Sequence, residues 1–213
     1  MAAAESSTKG SGASPKAGQS DTRTRILRIA RDLVRARGPR GLTFDAVAKR
    51  LGKSKQAVLY WFPTKDKLLA ETLLPDLAAE AGAARAALQG RHGAGAVRAF
   101  VEAVAGFHLE DLERFRLVYL APQSGALPVS AEALQTSAAS VPEITAPMYA
   151  DLAACLDGPP DARRREAVAI HAAVLGLVLM VALTESVADP LAHDPADLVD
   201  ALARRLAGAG AGA

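Results

Sequence analysis

Aromatic residues are scarce in this chain: five Phe, three Tyr and one Trp make up 4% of 213 residues. Sheets draw on aromatic and β-branched side chains, whereas half of this chain is hydrophobic with alanine dominant, so helices are favoured over strands. A single cysteine, Cys155, excludes an intrachain disulfide and a thiolate metal cluster. It reads as a small core residue of a protein kept in a reducing, cytoplasmic compartment. No apolar run opens the chain, because residues 1–20 mix Ser, Gly, Ala and Lys; a disordered tail is expected there rather than a signal peptide. The Gly/Ala run of residues 208–213 reads as a flexible tail. Neither G-x-S-x-G, H-E-x-x-H nor a phosphate loop occurs, and His92, His108, His171 and His193 lack metal-ligand spacing. No catalytic residue, cofactor or metal is therefore expected, and the chain does not read as an enzyme.

One long apolar run is present, at residues 167–184. It is at the short end of what crosses a bilayer, contains His171 and runs straight into Glu185 without an aromatic belt. A helix apolar all round is instead expected inside a protein core or interface, so no membrane partner is expected.

The whole-chain charge of +2 conceals a division. Residues 21–70 hold thirteen Lys and Arg against four Asp and Glu, a net of nine positive charges, whereas residues 71–213 hold ten against eighteen, a net of eight negative. A strongly basic quarter joined to an acidic remainder points to nucleic-acid contact by the basic part.

Within that part, Phe44, Val47, Ala48 and Leu51 recur at i, i+3, i+4 and i+7, one apolar helical face. Gly52 stands where a helix C-terminus needs positive φ, and Ser54 is placed to cap a second helix. Pro63 ends that helix and Thr64 caps another. This is the spacing of a helix-turn-helix, whose second helix enters the DNA major groove. Upstream, Ile26, Ile29, Ala30, Leu33 and Val34 form a stripe that ends at Gly38-Pro39, so three helices are expected between about residues 22 and 62. A fourth should run from Thr64 through Leu68, Leu69, Leu73 and Leu77. Val97, Phe100, Val101, Val104 and Phe107 mark another, extended or restarted by Leu112, Phe115 and Tyr119. Residues 122–142 read as a loop, with further helices near 143–156, 163–187 and 197–206.

Arg25-Ile-Leu to Gly38, Leu42-Thr-Phe, Val47-Ala, Leu51-Gly, Ser54-Lys and Phe62-Pro-Thr-Lys-Asp-Lys-Leu together resemble the N-terminal domain of TetR/AcrR-family transcriptional regulators. The resemblance spans residues 22–73 without gaps, and the acidic remainder is similar in size and character to that family's ligand-binding and dimerisation domain. One departure matters. The family usually carries Tyr where this chain has Leu59, so the phosphate contact of that tyrosine does not transfer. The implied molecule is all-α, with an N-terminal three-helix helix-turn-helix domain at 21–67 and a larger helical effector-binding and dimerisation domain at 68–207.

Stepping roughly 100° per residue from Val58 places Phe62 at about 40°, on the same core side, while Gln56 and Tyr60 fall at about 160° and 200°. These two are expected to face the groove, with Ala57 and Leu59 flanking. Gln pairs bidentately with adenine, Ala57 suits a thymine methyl, and Lys55 reaches a guanine or a phosphate. Trp61 stands at the edge between core and groove. Thr43 and Ser54, as caps, put free N–H groups and a positive dipole end where phosphates sit, with Lys53 adding charge. The resemblance implies phosphate roles for Thr43 and Lys65. In the acidic part, Phe100, Val104, Phe107, His108, Phe115, Tyr119, Tyr149, His171 and Leu175 form a set of apolar and polar-tipped residues suited to a small-molecule cavity. The expected partners are a double-stranded DNA operator, a second copy of the chain and a small apolar or aromatic effector. The expected function is a homodimeric repressor released from a palindromic operator by that effector; the alternative is a ligand-independent DNA-architectural protein. The apolar helix of residues 163–187 and the stripe of Leu198, Val199, Leu202 and Leu206 are the expected dimer surfaces, with Val178 and Leu202 as test positions.

Overall fold

A computed structural model describes residues 15–120, 131–184 and 193–209. Among the described residues the ordered elements are helices and no strand occurs. The first, α1 (Pro15–Arg37), ends in Gly38, whose φ of 65° is a left-handed value that glycine adopts without strain. It begins seven residues before Thr22, so residues 15–20 are helical rather than part of a tail, while residues 1–14 lie outside the described residues.

A 3-10 turn (Pro39–Gly41) leads to α2 (Phe44–Leu51) and α3 (Lys55–Trp61). The expected punctuation is present. Thr43 Oγ1 accepts from the Ala46 N–H at 3.1 Å, and Ser54 Oγ accepts from the Ala57 N–H at 3.3 Å. Gly52 makes the left-handed turn between the two helices with φ 69°. Thr64 then caps α4 (Lys65–Leu88) by accepting from Lys67 N–H at 3.2 Å.

The remaining elements are α5 (Gly93–Leu109), α6 (Leu112–Phe115), a π-helical turn (Arg116–Leu120), α7 (Ala131–Ala154), α8 (Pro160–Thr184) and α9 (Pro195–Ala209). The loop expected over 122–142 is corrected in part: α7 starts at Ala131 and passes through Pro142 and Pro147, and only residues 121–130 lie outside the described residues. Each proline removes one backbone hydrogen bond. The alanine-rich residues around them are good helix formers, and Met148 and Leu152 anchor the helix in the core. Residues 185–192 and 210–213 also lie outside the described residues.

Two large cores organise the described residues, beside a smaller cluster of Phe115, Val178 and Ala182. The first gathers Ile26, Leu33, Leu42, Val47, Val58 and Phe62 from α1–α3 together with Leu68 and Leu69 from α4. The second gathers Phe100, Val104, Met148, Leu152, Ile170 and Val174, with Ala81, Ala84 and Leu88 from the far half of α4. One helix therefore serves both cores. Midway along it, Pro75 cannot donate to the Glu71 carbonyl. Around this weak point α1 braces α4: Arg23 pairs with Glu71, Arg31 pairs with Asp76 at 3.3 Å, and Arg31 donates to the Thr72 carbonyl at 3.2 Å. Arg35 pairs with Asp111 at 3.0 Å, and Leu117 of the π-helical turn is buried in the first core.

The apolar helix expected to be enclosed is enclosed on one side only. α8 is long and apolar enough to cross a membrane, with mean hydropathy 2.4 over an eighteen-residue window, yet one-third of that window is buried. Ala167, Ile170, His171, Val174, Val178 and Ala182 face inward. Met180 and Leu183 are 59% and 49% exposed, and Val168, nearer the start of the helix, is exposed as well. Val178, expected at an interface, has no exposed surface and packs with Phe115 and Ala182; its place in the helical period puts it on the inner face. Leu202 is half-buried against the second core.

Candidate functional site: an exposed helix face and a buried polar cluster

The inner face of α3 is Val58, which with Phe62 just beyond the helix is fully buried. The helical period then turns Gln56 and Tyr60 outward, and Tyr60 is 74% exposed. Thr43, Lys53, Ser54 and Lys55 are exposed, while Ala57 and Lys65 are half-buried. Of the nine residues expected to meet DNA, six are exposed and Ala57 and Lys65 are half-buried. Trp61 is the different case. It is half-buried, packs against the first core and meets the Tyr60 ring edge-on at 5.3 Å. One detail was not foreseen: Lys55 Nζ lies 3.1 Å from Asp45 Oδ2, tying the first turn of α3 to α2. Both partners are largely exposed, so the pair is worth only about 0–1 kcal/mol and is readily exchanged for a phosphate.

The second domain holds a cluster centred on a residue that the sequence reading missed. Glu80, on the far half of α4, is 1% exposed. Tyr119 donates its hydroxyl to Oε2 at 2.7 Å. His171 Nε2 lies 2.8 Å from Oε1, and since a carboxylate only accepts, that nitrogen carries the shared proton. The other nitrogen, Nδ1, is 2.8 Å from the Tyr149 hydroxyl. His108 brings Nε2 to 3.1 Å from Oε2 without hydrogen-bond alignment, and both its ring nitrogens are buried without a hydrogen-bond partner. Three residues, from α5, α8 and the π-helical turn, thus converge on the one carboxylate of α4, with Tyr149 of α7 bonded behind His171.

Burial pushes the Glu80 acid up, but the approach of His108 and His171 and the Tyr119 hydroxyl outweigh it and hold the group down at about 2. Burial, then the neighbouring Glu80 charge, push the Tyr119 and Tyr149 hydroxyls up. The acid is ionised and the phenols are neutral.

Around this centre the expected pocket residues take separate places. Phe107, Phe115 and Tyr119 surround the His108 ring with centroids at 5.2, 5.2 and 5.5 Å. Phe100 meets His171 edge-on at 5.9 Å. Val104 belongs to the second core, and Leu175 packs with Phe115 and Val178. A cavity of about 540 Å3 lies elsewhere, between α5, α9 and the end of α8, where Leu109, Leu112, Val181 and Val199 line it. None of the nine expected ligand-binding residues lines that cavity. The signal that would have revealed Glu80 was present: it follows Leu77 by three residues, on the apolar stripe of α4, where an acid is out of place.

A basic helix-turn-helix joined through one shared helix to an all-helical domain defines a DNA-binding transcriptional regulator. Residues 26–72 match the family model described as bacterial regulatory proteins, tetR family. The helix-turn-helix of this chain is thus similar to the DNA-binding domain of that family, as the spacing of its residues implied. Solved structures share the fold over most of the chain. Regulatory protein SCO4313 superposes with TM-score 0.72 at 20% identity, over 92% of this chain and all of that one. The TetR-family regulator PfmR from Thermus thermophilus gives 0.54 at 22% identity over 86% and 97% of the two chains. The multidrug binding protein EbrR, solved in complex with imidazole, gives 0.62 at 24% identity over 86% and 93%. Comparison with curated proteins finds no match.

Proposed function

We propose that this regulator is a cytoplasmic homodimeric repressor that binds a palindromic operator and releases it when a small molecule occupies the second domain. The observation that carries this reading is the outward face of α3, where Gln56 and Tyr60 stand exposed on a unit of nine net positive charges. Reading a palindrome needs two such helices one or more helical turns apart, hence a dimer. The exposed apolar face of α8, with Val168, Met180 and Leu183, supplies a surface for it, because apolar side chains in such a stripe are stabilised by burial. The effector half of the proposal rests on the buried cluster at Glu80, a concentration of polar groups inside an apolar core of the kind that gives a ligand orientation. A fold relative solved with imidazole bound supports the same reading.

Selection from random-sequence DNA duplexes, followed by sedimentation of the complex, tests it. The selected duplexes should share a palindrome bound by two copies of the chain. Equal retention of unrelated duplexes, or a single copy per site, overturns the proposal.

A further inference from the structure

Space in the second domain lies beside the Glu80 cluster rather than within it. The cavity of about 540 Å3 between α5, α9 and the end of α8 falls in the range of roughly 300–1,000 Å3 that small-molecule sites occupy. Leu109, Leu112 and Val181 on its walls are only half-buried, so they hold apolar surface that an occupant would remove from water. Leu112 and Tyr119 pack against the same cluster of Phe115, Val178 and Ala182, so this wall adjoins the residue that donates to Glu80.

One lining position is a glycine. Gly106 lies inside α5, where glycine is unfavourable relative to alanine, yet a Cβ built on it would meet no atom within 4 Å. Packing within the described residues does not require the missing side chain; its absence widens the cavity.

The polar lining is of one kind. Its charged side chains are Glu102, Asp194 and Asp200, and no Lys, Arg or His is among the residues that line it. Carboxylates accept hydrogen bonds and do not donate them. Arg98 pairs with Glu102 at 3.1 Å and with Asp200 at 2.9 Å, and Arg204 pairs with Asp200 as well. Asp194 has no ion pair among the described residues. Its Oδ1 accepts from the Ala196 N–H at 2.8 Å, so a carboxylate already occupies the positive end of α9 that an anion would otherwise use. Each carboxylate has more acceptor sites than these contacts fill, and the cavity lining supplies no basic donor for the rest.

We propose that this cavity is the effector site of the second domain, and that it takes a small apolar molecule that ends in a hydrogen-bond donor and bears no anionic group. This rests on the effector reading above and seats the molecule beside the Glu80 cluster, with its bulk against Leu112.

Three compounds on one frame test it: 2-naphthol, with a donor; 2-methoxynaphthalene, without one; and 2-naphthoate, an anion. Equilibrium dialysis against the full-length protein should rank 2-naphthol first, by about tenfold over the methoxy compound, the scale of one hydrogen bond to a charged partner, with 2-naphthoate weakest. Gly106→Leu, which places a side chain in the cavity, should abolish 2-naphthol binding, and Gly106→Ala should weaken it. Circular dichroism should show both variants folded, with unfolding midpoints at or above that of the wild type. Should Gly106→Leu unfold, the loss in Gly106→Ala decides instead. Wild-type affinity for 2-naphthol in the folded variants, equal binding of the methoxy compound, a preference for 2-naphthoate, or no 2-naphthol binding at millimolar concentration overturns the proposal. Release of the selected operator duplex separates the two readings. Release by 2-naphthol that persists in Gly106→Leu overturns this site and leaves the effector reading standing, whereas binding lost in Gly106→Leu but without release in the wild type overturns the effector reading and leaves the ligand site.

Discussion

Glu80 makes a quantitative demand on the acid stability of the protein. Its carboxyl is held at about 2 instead of its ordinary 4.5. Each tenfold change in proton affinity corresponds to ~1.4 kcal/mol, so the folded state gains about 3 kcal/mol from keeping this group ionised. The sign follows from the direction of the shift. A carboxyl depressed on folding contributes fully above pH 4.5, and the contribution fades as pH falls from 4.5 towards about 2. Glu80→Gln keeps the size of the side chain and an acceptor oxygen for His171 but removes the charge. Urea unfolding of both proteins at one fixed concentration, at about pH 7, 4.5, 3.5 and 2.5, isolates the effect, because titration of every other carboxylate cancels in the difference. Fixed concentration matters, since assembly stabilises by mass action. The variant should be less stable by about 3 kcal/mol near pH 7, with the gap closing through the acid range. A gap that stays constant from pH 7 to about 2.5 would refute the account of Glu80 as a carboxylate stabilised by its donors.

Three further outcomes are expected. Gln56→Ala should cost ~1–3 kcal/mol of operator binding and relax base preference at one position per half-site, whereas Lys65→Ala should weaken all sequences alike and lower the salt slope by about one; quantitative mobility shifts over a salt series separate the two. Met180→Asp should leave the fold intact and yield monomers by sedimentation at micromolar concentration, while Val178→Asp, which buries an unpaired charge among Phe115 and Ala182, should unfold the second domain. Tyr119→Phe keeps the ring against His108 and Phe115 but removes the donor to Glu80, so thermal or urea unfolding should show a loss of ~1–3 kcal/mol without loss of helicity.

What could be read in the sequence was what local rules govern. Thr43, Gly52, Ser54 and Thr64 sit at helix ends because capping and left-handed φ are set within a few residues, so α2, α3 and the start of α4 stand where the spacing put them. The outward turn of Gln56 and Tyr60 followed from helical period alone. The misses share a different cause. Glu80 was passed over because its partners lie 28, 39 and 91 residues away at His108, Tyr119 and His171, and only the tertiary fold brings them together. Val178 was misplaced because α8 is apolar on every side, so periodicity could not tell its inner face from its outer one. In α7, Pro142 closed the expected loop, yet packing of Met148 and Leu152 outweighs the bond that it removes.

The connection between the two domains follows from the same arrangement. α4 places Leu68 and Leu69 in the first core and Glu80 in the centre of the second domain, with the bond-deficient step at Pro75 between them. The π-helical turn makes a second, parallel link, since Leu117 is embedded in the first core while Tyr119, two residues on, holds Glu80. A molecule that competes for Glu80 must loosen either Tyr119 or a histidine. Loosening Tyr119 releases a hydrogen bond that ties these two links together. Close-packed interiors do not absorb such a change locally, so it is expected to appear as a shift of α4 against α1. The ion pairs of Arg23 with Glu71 and Arg31 with Asp76 oppose that shift. An effector acting at this cluster would move the DNA-binding unit only as far as its preference for the unlocked arrangement exceeds what Glu80–Tyr119 and those two braces contribute to the locked one.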